Sequence, residues 1–423
     1  MSFLIKKFRS ISFILLFFCG FFSCQKVVRE QKEALSLELK KPYLKVKIFE
    51  TEDEVLISPE GSFSIKCVSK NKDDVFFYSS ASIMVKASEE GLILCQNKGR
   101  VIKRNLDKIF FIPQKKNFWL YLNKKGFRGV LEVNLSKEDN IIFVLNLVYM
   151  EDYLKGVVPA EMGNQGLFEL EALKAQAIAS RTYALFKTER NSEKEYHLES
   201  TIIDQLYSGM EIEDLVVNIA VERTKGEVIT KDGDIIKAYY HACCGGRTEN
   251  IEDVWNKFEE SYLKKVDDED FCSWYKRYEW ERVWKIKDLE RVLLFSLKDL
   301  FDPLENKIGK LIDLQIIERT SSKRVEKLCI RTEFETYYVS KDDIRWVLRD
   351  ASDSTKILPS TLFELELKKN KKGKIDTVIA KGKGNGHGVG MCQTGAIGMA
   401  RRGFSYIEIL KHYYTGVEIK KIY

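Results

Sequence analysis

Proline is scarce in this chain, six residues in 423, and no long low-complexity tract occurs. Both absences argue against extensive disorder. A large excess of one charge is also missing: 69 Lys and Arg against 63 Asp and Glu leave a net charge of +6. That mild bias suits an anionic polymer or a membrane surface but is too weak to argue for nucleic-acid binding. The short basic clusters at Lys371 and Lys372 and at Lys381 and Lys383 read as solvated faces. No repeat recurs at a fixed period. What is present, 44% hydrophobic and 31% charged residues, is the composition of an ordinary folded body, and the length allows two or three domains.

Long apolar runs are lacking too, with one short exception at the start. Lys6, Lys7 and Arg9 precede an apolar stretch over 11–22, then Ser23, Cys24 and a polar run. A stretch this short with a basic start reads as a signal sequence over 1–23 rather than a membrane span. Cys24 fits the acylated first residue of an exported lipoprotein, facing periplasm or cell wall, with 24–42 as a charged tether. The plain alternative is an uncleaved anchor with an ordinary Cys24. Export permits disulfides. With Cys19 and Cys24 set aside, Cys67, Cys95, Cys243, Cys244, Cys272, Cys329 and Cys392 are an odd set, so they cannot all pair internally, and spacing identifies no partners.

From Tyr43 the chain alternates apolar and polar residues in short stretches (44–48, 63–67, 82–86, 92–95, 118–122, 129–133, 140–148), the period of β-strands. The β-rich part spans 43–135. The segment 169–187 then has no Gly or Pro and is rich in Ala, Leu and Lys, which predicts a helix packed on several sides. Further helices are expected over 214–223, 287–299, 340–348 with Ser340 as N-cap, 395–402 and 405–414. A hairpin is expected over 228–240, turning at Asp232 and Gly233, and strands over 311–318, 325–333 and 361–367. The fold class is therefore α+β.

Three segments carry candidate chemistry. Glu161 follows Pro159 and Ala160 at the end of an apolar run. A partly desolvated carboxyl there would favour its neutral form and could protonate a leaving group; the bland alternative is a surface Glu on a loop. In 238–250, Gly245 and Gly246 follow His241, Cys243 and Cys244, letting the backbone approach something closely. Zinc held by these residues with Cys272 is disfavoured, because the spacing matches no familiar motif and adjacent cysteines seldom ligate together. No metal or cofactor is assigned. In 382–396, alternate glycines surround His387. The loop lacks the ending of a phosphate-binding loop and its βαβ context, so it reads as a tight loop that brings amides and His387 against a ligand.

Six ordered motifs, MEDYLKGVVPAEM (150–162), EALKAQAIASRTYA (171–184), QLYSG (205–209), AYYHACCGGRTENIEDVW (238–255), GNGHGVGMCQTGA (384–396) and ILKHYYTGVEI (409–419), resemble the SpoIID/LytB family of sporulation cell-wall lytic enzymes and amidase enhancers. The resemblance covers nearly all the chain after 43. It implies a SpoIID-like catalytic core over 136–423 with the Ala-rich helix at its centre and an α/β subregion at 283–370. It implies a lytic transglycosylase acting on peptidoglycan glycan strands with Glu161 as its acid/base. A non-catalytic enhancer of a cell-wall amidase, or a lipoprotein that only links membrane to wall, are the alternatives. On the Ala-rich helix, Gln176 and Tyr183 share one face and Lys174 and Arg181 another; one pair is expected to line the glycan cleft and the other to brace the fold. Tyr240, His241, His387 and Gln393 complete the expected substrate-binding set, and Trp255 is expected in the core or against a sugar face. The chain departs from the family pattern where Ala242, Cys243 and Cys244 replace a hydroxyl-rich run, where Cys392 replaces Ser, at Thr394, and at Ile203 and Asp204, where some members carry zinc ligands.

Overall fold

The computed structural model describes residues 42–423 apart from 70, 71, 97, 98, 137 and 302–307, with only the backbone of 72–78. The expected signal sequence and Cys24 lie outside the described residues. The helices are α1 (Met150–Met162), α2 (Leu170–Arg190), α3 (Leu215–Arg223), α4 (Ile251–Val254), α5 (Ile286–Leu300), α6 (Asp343–Val347), α7 (Gln393–Arg401) and α8 (Tyr406–Tyr413). The fold is α+β, as the sequence predicts.

The alternating stretches form two sheets. One has seven strands in the order Leu198–Glu199, Tyr43–Thr51, Ile141–Tyr149, Val130–Ser136, Lys108–Pro113, Phe63–Ser69 and Lys72–Ser79. The other has six, with Val55–Pro59 and Ile83–Ser88 at its centre. Period two puts Leu44 and Val46, Phe63, Ile65 and Cys67, and Ile83 and Val85 into the core. This core runs on without a break into α1, α2, α3, α7 and α8. The strand Tyr43–Thr51 pairs antiparallel with Ile141–Tyr149, so the sheet crosses the boundary expected near 135.

A second core is separate. It gathers Trp284, Leu289, Leu293, Leu328, Val347, Phe363 and Val378 beneath α5, α6 and two three-stranded sheets. This inserted unit is tied to the main body by Thr320, which donates to Glu249 at 2.5 Å, and by Lys341, which donates to the Glu252 carbonyl at 2.7 Å.

Every residue of α2 from Ala175 to Ala184 is buried, which fits a helix packed on several sides by small side chains. The structure differs from expectation at four places. The run 150–162 is helical although Gly156 and Pro159 weaken it by propensity; nine of its thirteen residues are buried, so packing decides. Gly156 is required there, because a Cβ would meet the Tyr207 ring at 2.6 Å. The strands Glu279–Lys285, Thr336–Ser340 and Ile375–Lys383 were not anticipated. Ser340 ends a strand rather than capping a helix, and α6 starts only at Asp343. The hairpin turns at Asp232 and Gly233 (φ 52° and 98°) but pairs for two residues only; its first strand pairs instead with Glu418–Lys421.

Candidate active site

Helix α1 ends at Gly163, whose N–H returns to the Pro159 carbonyl at 2.9 Å. Glu161 lies in this last turn. Its Oε1 accepts from the Leu206 N–H at 2.8 Å and its Oε2 from Gln393 Nε2 at 3.4 Å, and the Tyr240 phenol also reaches the carboxylate. Burial raises the Glu161 pKa; these three hydrogen bonds offset part of that rise. The groups acting on Glu161 are thus an amide, a carboxamide and a phenol. Among the described residues no cation and no second carboxylate is among them.

Behind this shell lies a connected polar layer. Gln393 Nε2 reaches Gln176 Oε1 at 3.4 Å, and Gln176 donates to Ser180 Oγ at 3.0 Å. Gln205 donates to the Tyr240 hydroxyl at 2.9 Å and accepts from the Tyr153 hydroxyl at 3.1 Å. Buried polar groups need such partners, and a connected set fixes each rotamer. These seven residues come from four motifs: Tyr153 and Glu161 from α1, Gln176 and Ser180 from α2, Gln205 and Leu206 from the loop before α3, and Gln393 from the start of α7.

The glycine loop delivers Gln393. Gly384, Gly386, Gly388 and Gly390 all have positive φ (82°, 110°, 89° and 71°), and a Cβ on Gly390 would sit 2.0 Å from the Tyr239 carbonyl. The loop lies against Tyr240–His241, which pairs in parallel with Met391–Cys392. His387 pins it: the Val389 N–H donates to Nδ1 at 3.0 Å, so Nε2 carries the proton and donates to the Tyr240 carbonyl at 3.0 Å. Burial pushes its pKa down to about 3. His241 donates from Nδ1 to the Val389 carbonyl at 3.1 Å, leaving Nε2 buried and unpartnered.

Of the expected site residues, Glu161, Gln176, Tyr240 and Gln393 come together. Tyr183 stands one step away, donating to Asp204 at 2.9 Å, and Asp204 also pairs with Lys187 at 2.7 Å. Three expectations are corrected. Arg181 is 0% exposed and grips Glu151 with Nε at 3.0 Å and Nη2 at 2.6 Å, so it braces α1 against α2. Lys174 pairs with Glu171 at 2.5 Å and lies over the Tyr406 ring, apart from Glu161. His387 spends both ring nitrogens on backbone and has none left for a ligand. Trp255 stacks on Tyr239 and on His387, with centroids 4.9 Å apart in both cases, and Lys257 lies 4.6 Å over it. The residues that sequence reasoning passed over are Tyr153, Ser180, Gln205 and the Leu206 amide. Gln205 and Leu206 sit inside the QLYSG motif, which was the available signal.

A cavity of about 420 Å³ lined by Lys116, Arg128, Asp152, Lys155 and Lys225 opens at the other end of α1. Nine residues separate Asp152 from Glu161, about 14 Å along the helix, so that cavity is not the setting of Glu161.

The chain is similar to several known proteins. A family model described as stage II sporulation protein (SpoIID) matches residues 138–230, and a domain of unknown function (DUF8618) matches 272–390. An uncharacterized protein of Brachyspira hyodysenteriae is 34% identical over 283 residues, 66% of this chain and 69% of that one. The amidase enhancer of Bacillus subtilis is 30% identical over 63% of this chain, which spans only 40% of that relative. Stage II sporulation protein D of Bacillus amyloliquefaciens is 31% identical over 64% of this chain and 74% of its own length. The segment 138–230 holds Glu161, Gln176, Ser180 and Gln205 together, and with these relatives it establishes that the chain belongs to the SpoIID family.

Proposed function

We propose that this protein remodels peptidoglycan and cleaves its glycan strands as a lytic transglycosylase, with Glu161 as the single acid/base. The observation that supports this most is the environment of Glu161: a desolvated carboxyl which, among the described residues, has no cation beside it and no carboxylate partner. A carboxyl with a raised pKa carries the proton a leaving group needs. Ordinary glycosidases use a second carboxylate to activate water or to attack. A reaction in which the substrate supplies its own nucleophile needs only one.

In this reading Glu161 protonates the glycosidic oxygen between N-acetylmuramic acid and N-acetylglucosamine, and that C–O bond breaks. The muramic acid 6-hydroxyl attacks its own anomeric carbon and gives its proton to the Glu161 carboxylate. The acid form is restored and the product ends in a 1,6-anhydro sugar. The intramolecular attack supplies the orientation that water would lack. Gln393 and Tyr240 hold the carboxyl in place, and the Trp255 and Tyr239 rings with Lys257 form a platform suited to a sugar face and an anionic substituent.

The test is digestion of glycan strands stripped of stem peptides, read by mass spectrometry. Anhydro-ended fragments are expected from the wild type and not from Glu161→Gln. Fragments with reducing ends would mean that water attacks, and the one-carboxylate mechanism would fall. A second reading is favoured by the amidase enhancer relative: a non-catalytic glycan binder that stimulates a cell-wall amidase. Binding without fragments, together with faster amide cleavage by an added amidase, would select it. Attachment to the membrane through lipidated Cys24 belongs to the same proposal; labelled palmitate incorporated by the wild type and not by Cys24→Ala would support it, and equal labelling would remove it.

A further inference from the structure

Four buried cysteines converge behind the glycine loop, outside the polar layer around Glu161. Cys243, Cys244 and Cys392 are 0% exposed, as is Cys272. The Cys244 and Cys272 sulfurs are 3.5 Å apart. Ligand atoms of Cys244, Cys272, Cys392 and Asp268 all lie within 4.8 Å of one another. The Cys243 sulfur lies against those of Cys272 and Cys392. Neighbouring elements in sequence do not explain this gathering: the residues come from the segment after Tyr240–His241, from the turn at 272 and from the N-terminus of α7.

The geometry points to a zinc site in which the thiolates of Cys243, Cys244, Cys272 and Cys392 hold one ion. A tetrahedral site with Zn–S near 2.3 Å has sulfurs about 3.8 Å apart, close to the 3.5 Å between Cys244 and Cys272. That spacing fits one ion rather than a larger cluster. Binding converts four thiols to thiolates and releases four protons, which leaves a net charge of −2 on the filled site.

The surroundings are built for that charge. The Cys244 N–H points at the Cys392 sulfur at 3.2 Å, the Gly395 N–H at the same sulfur at 3.3 Å, and the Gly246 N–H at the Cys244 sulfur at 3.4 Å. Cys392 is the N-cap of α7, where the helix dipole favours a thiolate. Arg324, 1% exposed, donates to the Cys244 carbonyl at 2.6 Å, and its Nε and Nη1 have no hydrogen-bond partner. Glu249 acts on this buried guanidinium from nearby, but its two idle donors are costly, and a dianionic site beside it would add to the compensation. Asp268 is the rival for fourth ligand. Its oxygens are taken by the Tyr413 hydroxyl at 2.6 Å and the Cys272 N–H at 2.8 Å, which places it in support of Cys272 rather than on the ion.

Such an ion would staple three segments at the residue next to Gln393, and so fix the group that touches Glu161. Zinc content of the full chain, purified with thiols kept reduced, is the first measurement; ~1 ion per chain is expected. Cobalt loaded in its place should show the absorption of a tetrahedral all-thiolate site, and a metal-edge X-ray absorption spectrum should show four sulfurs. Cys244→Ser and Cys272→Ser should lose most of the metal, while Cys67→Ser and Cys329→Ser, elsewhere in the fold, keep it. Should the serine variants fail to fold, the wild-type stoichiometry and cobalt spectrum decide alone. Metal-free protein that does not take up zinc or cobalt, or a mass lower by two hydrogens for each disulfide among these cysteines, overturns the site. Loss of metal in Asp268→Asn with Cys243→Ser unaffected would overturn the all-sulfur ligand set.

Discussion

Helix α1 carries two buried carboxylates about 15 Å apart, ten residues along one element, and they are treated in opposite ways. Glu151 is 3% exposed and accepts two bonds from Arg181, one from the Tyr423 hydroxyl at 2.6 Å and a longer one from the Gly226 amide at 3.4 Å. Its charge is matched by a cation. Glu161 has one good amide bond, a long carboxamide contact and a phenol, and among the described residues no cation. Burial alone therefore does not mark the working carboxyl. What marks it is desolvation that hydrogen bonds offset only in part and no counter-charge among the described residues offsets, which keeps the proton available. Arg181 next to Glu161 would spoil it as an acid, and its absence next to Glu151 would cost the fold.

The sharpest way to break this comparison is to make each carboxylate an amide. Glu161→Gln should lower the cleavage rate on glycan strands by about 10²–10⁴-fold, the range for a lost general acid, without lowering the midpoint of urea unfolding. Glu151→Gln should do the reverse. It leaves Arg181 buried without its counter-charge, which costs about 3–5 kcal/mol, read as a lower urea midpoint at unchanged m-value. The rate of the fraction still folded should be near wild type. Equal losses of rate in both variants would mean that α1 acts as one unit and that Glu161 has no separate role.

Glu161 and His387 predict opposite pH behaviour. The folded pKa of Glu161 is raised, so between the ordinary Glu value near 4.3 and the folded value the native state binds more protons than the unfolded one. Its contribution to stability is full below the unfolded pKa and is lost as pH rises through the folded one. Glu161→Gln should therefore gain stability relative to wild type as pH rises above the ordinary Glu value near 4.3 and through the raised folded value. Cleavage should decline on the alkaline side as Glu161 loses its proton. His387 acts in the other direction: with its pKa pushed down to about 3, its share of stability is present above the ordinary His value near 6.5 and is lost as pH falls toward 3. A urea series across that range separates the two, since replacing His387 with Gln should flatten only the acid limb.

These two carboxylates also show what could be read from sequence. The strands of the two large sheets were legible because period-two alternation fixes which face is buried, as at Phe63, Ile65 and Cys67. Helix α2 was legible from its alanines, and its polar residues divide differently from the expected pairs. Gln176 reaches Gln393, while Arg181 braces. Helix α1 was not legible, because Gly156 and Pro159 speak against a helix and only contacts from Tyr207 and the α2 face outweigh them. His387 misled for a similar reason. A histidine among glycines suggests an open ligand loop, but here the glycines let the Val389 amide fold back onto Nδ1, and the neighbouring Tyr240 carbonyl takes Nε2. The pairing of Glu151 with Arg181 joins residues thirty apart in sequence, and no local pattern announces it.

A smaller effect is expected at Gln393, a positioning residue by its contacts. It bridges Glu161 and Gln176 at 3.4 Å on each side. Long contacts of this kind are worth about 1 kcal/mol, so Gln393→Ala should reduce kcat about 5-fold with KM nearly unchanged. It should also raise the pH at which activity falls, since one group that favours the ionised carboxylate is gone. A change in KM alone would instead place Gln393 on the substrate.

The smallest expected effect lies two residues from Gln176. Successive residues on a helix turn about 100°, so Lys174 projects from the opposite side of α2. There it pairs with Glu171 at 2.5 Å and lies 5.3 Å from the Tyr406 ring centroid. Such an ion pair near the surface contributes about 0.5 kcal/mol, and the cation–ring contact a similar amount. Lys174→Ala should lower the urea midpoint slightly and leave kcat and KM on glycan strands within about twofold of wild type. A tenfold rise in KM would mean that glycan reaches this face of α2, and the cleft would have to extend around the helix from Glu161 to Tyr406.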